Sequence, residues 1–370
     1  MRHYLQELVA EQAAKAGFSA AGIAAVPEPG SLEDLHDRES FATWVELGNA
    51  GEMEYLKRRN DEGELVRSSL RVATPWVKSV IVCVTNYNSS QPLSIAPAPE
   101  DSGWIARYAW TGQSTADGSL VPSDYHKVIL KRLEKLEAIL KESLGPFESK
   151  CYVDTGPLVE RVYARYAGVG WIGKNTCILN QRLGSWLFLG VILTSLEVPD
   201  DQPAELAADR CGSCTRCIDA CPTGALTGSR QMDASLCISY LTIEKRGTIP
   251  EELRQDIGRQ VFGCDICQDV CPWNRKAPIG SDSELQARPE LVNPALGWLA
   301  ELNQESFGRL FFGSPVKRAK FEGMRRNIAI AMGNSRLKQF LPKLQEWSQS
   351  DDTALAETAV WAIQRIENRP

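Results

Sequence analysis

Eight of the chain's 11 cysteines lie between Cys211 and Cys271, and their spacing is the strongest chemical signal in the sequence. The run Cys211-Gly-Ser-Cys214-Thr-Arg-Cys217-Ile-Asp-Ala-Cys221-Pro222 is a C-x2-C-x2-C-x3-C-P array. At that spacing three thiolates grip one face of a [4Fe-4S] cube while the fourth turns toward a neighbouring cluster. A second half follows as Cys264-Asp-Ile-Cys267-Gln-Asp-Val-Cys271-Pro272, with Cys237 alone between the two. Ferredoxin connectivity then assigns Cys211, Cys214, Cys217 and Cys271 to one cluster, and Cys264, Cys267, Cys237 and Cys221 to the other. Structural zinc also uses C-x2-C pairs, but a third cysteine at x2 followed by x3-C-P is a poor zinc pattern. Cys83, Cys151 and Cys177 sit on apolar or strand-like stretches and read as buried thiols.

Two clusters in a chain this long serve either a ferredoxin-like relay or an enzyme whose own redox centre lies in the first 200 residues. That region carries neither a G-x-G-x-x-G after a strand nor a Walker loop, so bound dinucleotide and ATP are not indicated. Four further motifs narrow the choice: Tyr152-Val-Asp154-Thr-Gly-Pro-Leu-Val-Glu160-Arg161; Gly168-Val-Gly-Trp171-Ile-Gly-Lys174-Asn175; Leu183-Gly184-Ser185-Trp186-Leu187; and Cys237-Ile-Ser239-Tyr-Leu-Thr242 ahead of Gly263-Cys264-Asp265. Together they closely resemble the epoxyqueuosine reductases, over nearly the whole chain.

The resemblance implies a cobalamin-dependent iron-sulfur oxidoreductase that reduces epoxyqueuosine to queuosine at the wobble position of tRNA, the last step of queuosine synthesis. It implies a nitroreductase-like α/β domain that binds cobalamin, a ferredoxin-like domain with two [4Fe-4S] clusters, and a HEAT-like helical module that helps bind tRNA. The chemistry requires a proton donor, and the resemblance places that role on Asp154. A carboxyl group serves as an acid when a poorly solvated pocket raises its pKa. By resemblance, Arg67, Lys174, Asn175, Ile178, Ser185 and Leu189 line the cobalamin pocket, with Ser239 and Asp265 near it.

Each of these residues has a plainer reading. Asp154 or Thr155 would cap a helix opening at Pro157, a favourable first-turn residue. Asp154-Thr-Gly also looks like an aspartic-protease triplet, but that mechanism needs two carboxylates and the triplet occurs once. Arg67 reads equally as a solvated charge, and Ile178 and Leu189 as core. Asp124-Tyr125-His126 begins a D-x-H-x-x-G cobalt-ligating motif, but Ile129 stands where the glycine is required, so His126 is not assigned to cobalt.

The elements that must hold these residues fall into three stretches. Residues 1–200 read as mixed α/β, with helical periodicity over Leu5–Ala16 and Tyr125–Leu144, β-branched runs at Val77–Thr85 and Cys151–Val153, and loops at Ser89–Pro99 and Thr111–Pro122. Residues 201–285 have little apolar periodicity and depend on their metal centres. Residues 286–370 read as helical hairpins, with Ile328, Met332, Phe340, Leu341, Leu344, Trp347, Ala359, Val360, Ile363 and Ile366 at three- to four-residue spacing.

The composition, 43% hydrophobic and 24% charged, excludes disorder, collagen and coiled coil. The longest apolar run, Trp186–Leu193, is far shorter than the roughly 20 residues of a membrane-spanning helix. The first residues lack a signal-peptide pattern, so a cytoplasmic protein is expected. The net charge of -6 conceals a local excess. Between Phe311 and Phe340, seven basic residues (Lys317, Arg318, Lys320, Arg325, Arg326, Arg336 and Lys338) face one acid, Glu322, a balance of +6. With the family context, Lys317, Arg318, Lys320, Arg325 and Arg326 are expected to meet tRNA phosphates, and Trp104, Tyr108 and Trp110 beside Arg107 to stack on a base or join the core. An external low-potential electron donor is expected as a further partner. Nothing in the sequence demands more than a monomer.

Overall fold

The computed structural model describes residues 4–199 and 203–368. At its centre is a four-stranded antiparallel sheet in the order Ala20–Ala25, Ser79–Asn86, Leu187–Thr194, Ser149–Tyr152. Ser79–Asn86 is buried along its whole length, because its alternating residues point into two different cores. Ile81 and Cys83 pack under the helices Tyr4–Lys15 and Tyr125–Leu144, with Leu5, Val9, Leu133 and Leu136. Val80, Val82 and Val84 face Leu158, Tyr163 and Ala164, from and just before the helix Glu160–Tyr166. The longer covering helix matches the sequence expectation at both ends, capped by Asp124 and stopped by Gly145 at φ 85°. Gly190 lets it approach the sheet, since a Cβ there would lie 2.7 Å from Ile129.

The expected loop at Thr111–Pro122 is instead a β-hairpin. Thr111–Ser114 pairs with Leu120–Pro122 around Gly118 at φ 83°, and Gln286–Ala287 adds a third strand. The expected helix opening at Pro157 also differs. It begins at Glu160 with Val159 at the cap and no side-chain cap hydrogen bond, so neither Asp154 nor Thr155 caps it.

The three sequence stretches do not have three separate cores. The 200/201 boundary lies outside the described residues. Trp104, Ile105, Ala109 and Trp110, from the first stretch, share one core with Val261 and Phe262, from the second, and with Phe307, Phe311, Ile328, Met332, Leu344 and Ile366, from the third. Trp104–Ile105 also pairs in parallel with Gln260–Phe262. The aromatic pair Trp104 and Trp110 is therefore core, packed edge to face at 5.2 Å, and does not present a stacking surface. In the last stretch the helices Lys320–Ser335, Leu341–Trp347 and Thr353–Glu367, with Phe340 just before the second, bury most of the predicted apolar positions; Leu341 and Ile363 are half-buried and Val360 points outward, 44% exposed.

Candidate active site

The cysteines gather into the two predicted quartets. Cys211, Cys214, Cys217 and Cys271 line one cavity, together with Lys174, Asn175, Leu179 and Trp273. The other four are near enough to influence one another's charge: Cys264 feels Cys237 and Cys221, and Cys267 feels Cys264 and Cys237. Burial pushes the Cys271 thiol up to about 11 and the Cys264 thiol well above its ordinary value. For the Cys267 thiol the neighbouring Cys177 thiol and burial both act upward. A cationic iron centre would reverse this, because only the thiolate is a ligand. Among the described residues no three His, Cys, Asp or Glu side chains converge closely enough to hold a single metal ion.

The cluster region is tied to one end of the central sheet. The register Ser149↔Thr194 and Tyr152↔Val191 puts the exit of Ser149–Tyr152 at the same end as the entry of Leu187–Thr194. At that end Ser185 Oγ donates to Gln268 Oε1 at 2.9 Å and accepts from Asn274 Nδ2 at 2.9 Å. Asn175 donates to the Cys267 carbonyl at 3.3 Å and accepts from the Cys177 backbone at 3.3 Å. Buried Asp265 accepts from Trp104 Nε1 at 3.0 Å and from the Arg107 backbone at 2.7 Å. Burial, with Asp269 adding to it, raises the Asp265 carboxyl to about 7 against the pull of Arg107 and Trp104.

Asp154 emerges two residues beyond its strand at φ 58°, in the left-handed region that Asp and Asn tolerate best. Its side chain is 74% exposed, so protein atoms alone do not build the poorly solvated pocket expected of an acid. Around it stand His126, whose Nε2 is 3.9 Å from Asp154 Oδ2, and Tyr55, Tyr108 and Tyr125, each of which feels its charge. Tyr55 is flanked by two guanidinium groups, Arg67 at 5.5 Å and Arg318 at 5.4 Å from its ring centroid. Arg318 is held there by Glu244 at 2.7 Å, which brings the basic strip to the mouth of this site. Close by, Glu160 Oε1 is enclosed without a hydrogen-bond partner, and burial, reinforced by Asp154, pushes that carboxyl up to about 7.

The other expected contact residues differ in exposure. Ser185 and Asp265 are buried and hydrogen-bonded to the partners named above. Lys174 and Asn175 line the first cysteine cavity, Lys174 donating to the Gly212 carbonyl at 2.7 Å. Ile178 is core, whereas Arg67, Leu189 and Ser239 keep part of their surface open. In the basic strip Lys317 and Lys320 are exposed, Arg318 is half exposed, and Arg325 lies over the Phe321 and Trp347 rings.

Arg326 overturns its assignment to phosphate. It is 2% exposed and donates to the carbonyls of Lys245, Gly247 and Leu241. Burial lowers this guanidinium to about 10. Arg326→Ala is thus expected to lower stability by about 2 kcal/mol or more, because it strands those acceptors. Thermal unfolding at constant iron content measures this, and an unchanged midpoint would contradict it.

Sequence reasoning missed Tyr55, an isolated aromatic on a polar stretch, and set His126 aside once it failed as a cobalt ligand. It also took Cys177 for a bystander, yet that thiol lies against Cys267. Cys83 and Cys151 are thiols held protonated chiefly by burial.

Comparison with known proteins agrees along the whole chain. The family profile described as "4Fe-4S double cluster binding domain" matches residues 210–274, and "Epoxyqueuosine reductase QueG, DUF1730" matches residues 67–155. Epoxyqueuosine reductase of Xanthomonas campestris pv. campestris is 36% identical over 354 residues, covering 95% of this chain and 93% of the relative. A crystal structure of selenomethionine-labelled epoxyqueuosine reductase matches with TM-score 0.83 and 30% identity, covering 98% of this chain and 91% of that one. A crystal structure of epoxyqueuosine reductase with a tRNA-Tyr epoxyqueuosine-modified stem loop matches with TM-score 0.79 and 29% identity, covering 98% and 90%. With its cysteine quartets docked at the sheet end that carries Asp154, the chain belongs to the epoxyqueuosine reductase family.

Proposed function

We propose that the chain reduces epoxyqueuosine to queuosine at the wobble position of tRNA, using cobalamin fed by two [4Fe-4S] clusters, with Asp154 as the proton donor. The observation that carries this reading is the placement of both cysteine quartets against the sheet end from which Asp154 projects. A relative of the same fold binds an epoxyqueuosine-modified stem loop, which supports tRNA as the substrate. The α/β part is read as nitroreductase-like and cobalamin-binding, residues 201–285 as ferredoxin-like, and the last helices as a HEAT-like tRNA-binding module.

The residues that the family resemblance assigns to the cofactor are compatible with a large polar-edged group. Arg67, Leu189 and Ser239 are part-open, and the orphan Glu160 oxygen, which feels Asp154 and Arg67, offers an acceptor. When bound, cobalamin supplies a reduced cobalt centre that delivers electrons at the epoxide carbon. The chain's own contribution is to hold and release protons. Asp154 donates to the epoxide oxygen as the C–O bond opens, and cover from cofactor and nucleoside supplies the desolvation that the protein leaves incomplete. Tyr55, 41% exposed with Arg67 and Arg318 over its ring, stands at the mouth where the anticodon enters, and Lys317 and Lys320 meet phosphate.

No helix of the described residues is long and apolar enough to cross a membrane. The reading places the protein in the cytoplasm as a monomer served by an external low-potential electron donor. Anaerobically purified protein should carry about eight iron atoms per chain and take up cobalamin, seen in its corrin absorbance. About four iron atoms, or no corrinoid uptake, would contradict the reading. Lys317→Ala with Lys320→Ala should weaken tRNA binding and lower the slope of log affinity against log salt by about two. An unchanged slope would remove both from the phosphate contacts.

A further inference from the structure

Opening an epoxide to an alkene consumes two electrons and two protons. The C–O bonds break, one proton converts the oxygen to hydroxyl, and the second lets it leave as water. A single carboxyl group holds one proton, so Asp154 must be recharged within each turnover. Once substrate covers its exposed face, it loses direct contact with bulk water.

The structure supplies a neighbour suited to this task. Asp124 Oδ1 accepts from the His126 backbone at 3.0 Å, which caps the helix Tyr125–Leu144, and also meets His126 Nδ1 at 2.9 Å. The cap accounts for the first contact alone, while the second fixes the ring. The imidazole is also stacked on Tyr125 at 3.9 Å between centroids. With Nδ1 engaged by Asp124, Nε2 is the atom turned toward Asp154, 3.9 Å from Oδ2. That separation exceeds a hydrogen bond, but such contacts are often long before substrate binds and tighten in the complex. The ring is 33% exposed, so it keeps a route to water on the flank of the site.

We propose that Asp124 and His126 form a proton relay that recharges Asp154, with Asp124 orienting the imidazole and His126 passing the proton from solvent. His126 is a positioning and relay residue that acts through Asp154. The helix N-terminus disfavours an imidazolium, and burial also pulls its pKa down, but Asp154 and Asp124 outweigh burial and hold it above the ordinary histidine value. Those two carboxylates are the charged groups that face it, with Tyr125 stacked on the ring. The imidazole therefore stays protonated to higher pH than an ordinary histidine and is able to give a proton. Its contribution is present below the raised pKa and lost as pH rises through it.

This inference rests on Asp154 being the acid. The test compares Asp124→Asn, His126→Gln, His126→Ala and Asp154→Asn, each loaded with iron and cobalamin and each checked for unchanged iron content and unfolding midpoint. Turnover on epoxyqueuosine-containing tRNA should fall about 100-fold in His126→Gln, and the alkaline limb of the wild-type pH profile should disappear. Added imidazole should restore His126→Ala in proportion to its protonated fraction. Asp124→Asn keeps the cap and should give a smaller loss, because only ring orientation suffers. If His126→Gln retains the wild-type rate and pH profile while Asp154→Asn is inactive, the relay is wrong and the acid assignment stands. If Asp154→Asn is itself active, both fall. A loss in His126→Ala that imidazole does not restore, with the alkaline limb still present, also overturns the relay.

Discussion

Asp154→Asn should keep both clusters and bind cobalamin normally, yet lose turnover by at least about 10²- to 10⁴-fold, the range that general acids contribute. The structure separates this residue from the fold more cleanly than sequence could. Its carboxyl group caps no helix and is 74% exposed, so removing it should cost little stability. Asparagine is the better probe because the backbone sits at φ 58°. Alanine there adds strain of roughly 1–2 kcal/mol, which would blur a chemical loss with a conformational one. Quantifying the nucleoside product per enzyme at fixed iron content decides the matter, and turnover within threefold of wild type would end the acid assignment.

The second large effect concerns the crossed quartets. Cys271→Ala should lower iron from about eight to about four atoms per chain and abolish turnover. Because Cys271 shares its cavity with Cys211, Cys214 and Cys217, adding Cys211→Ala should cost no further iron. Combining Cys271→Ala with Cys237→Ala should remove nearly all of it. If Cys271 instead served the cluster of its sequence neighbours Cys264 and Cys267, the two double variants would exchange results. The cluster region has little core of its own: Trp171, Leu179 and Cys271 form one small group, and Ile238, Tyr240, Leu241, Ile249 and Ile257 another. Cluster loss should therefore also lower the unfolding midpoint.

What could be read from the sequence follows from the range of the forces involved. The cysteine quartets were legible because cluster geometry fixes ligand spacing within a few residues. The helix Tyr125–Leu144 was legible because its cap, apolar period and terminal glycine all act locally. The Thr111–Pro122 hairpin was hidden because Ser, Thr, Gly and Asp dominate it, and its third strand comes from Gln286–Ala287, far along the chain. Arg326 looked like its exposed neighbours, since a charge count does not reveal that three carbonyls from another segment enclose its guanidinium. Asp265 and Ser185 carry structural hydrogen bonds that sequence does not reveal, Asp265 to Trp104 and Arg107 and Ser185 to Gln268, because their partners lie far along the chain. His126 shows the converse. Judged by one motif it was set aside, and its place between two carboxylates became visible only when the strand carrying Asp154 was brought beside the helix that begins at Tyr125.

Nucleoside analysis of tRNA tests the central claim most directly. Wild-type protein, loaded anaerobically with iron and cobalamin and given a low-potential reductant, should convert epoxyqueuosine in tRNA to queuosine, detected by chromatography and mass spectrometry of the digested nucleosides. Epoxyqueuosine left unchanged, with a small epoxide or organohalide reduced in its place under the same conditions, would contradict the account.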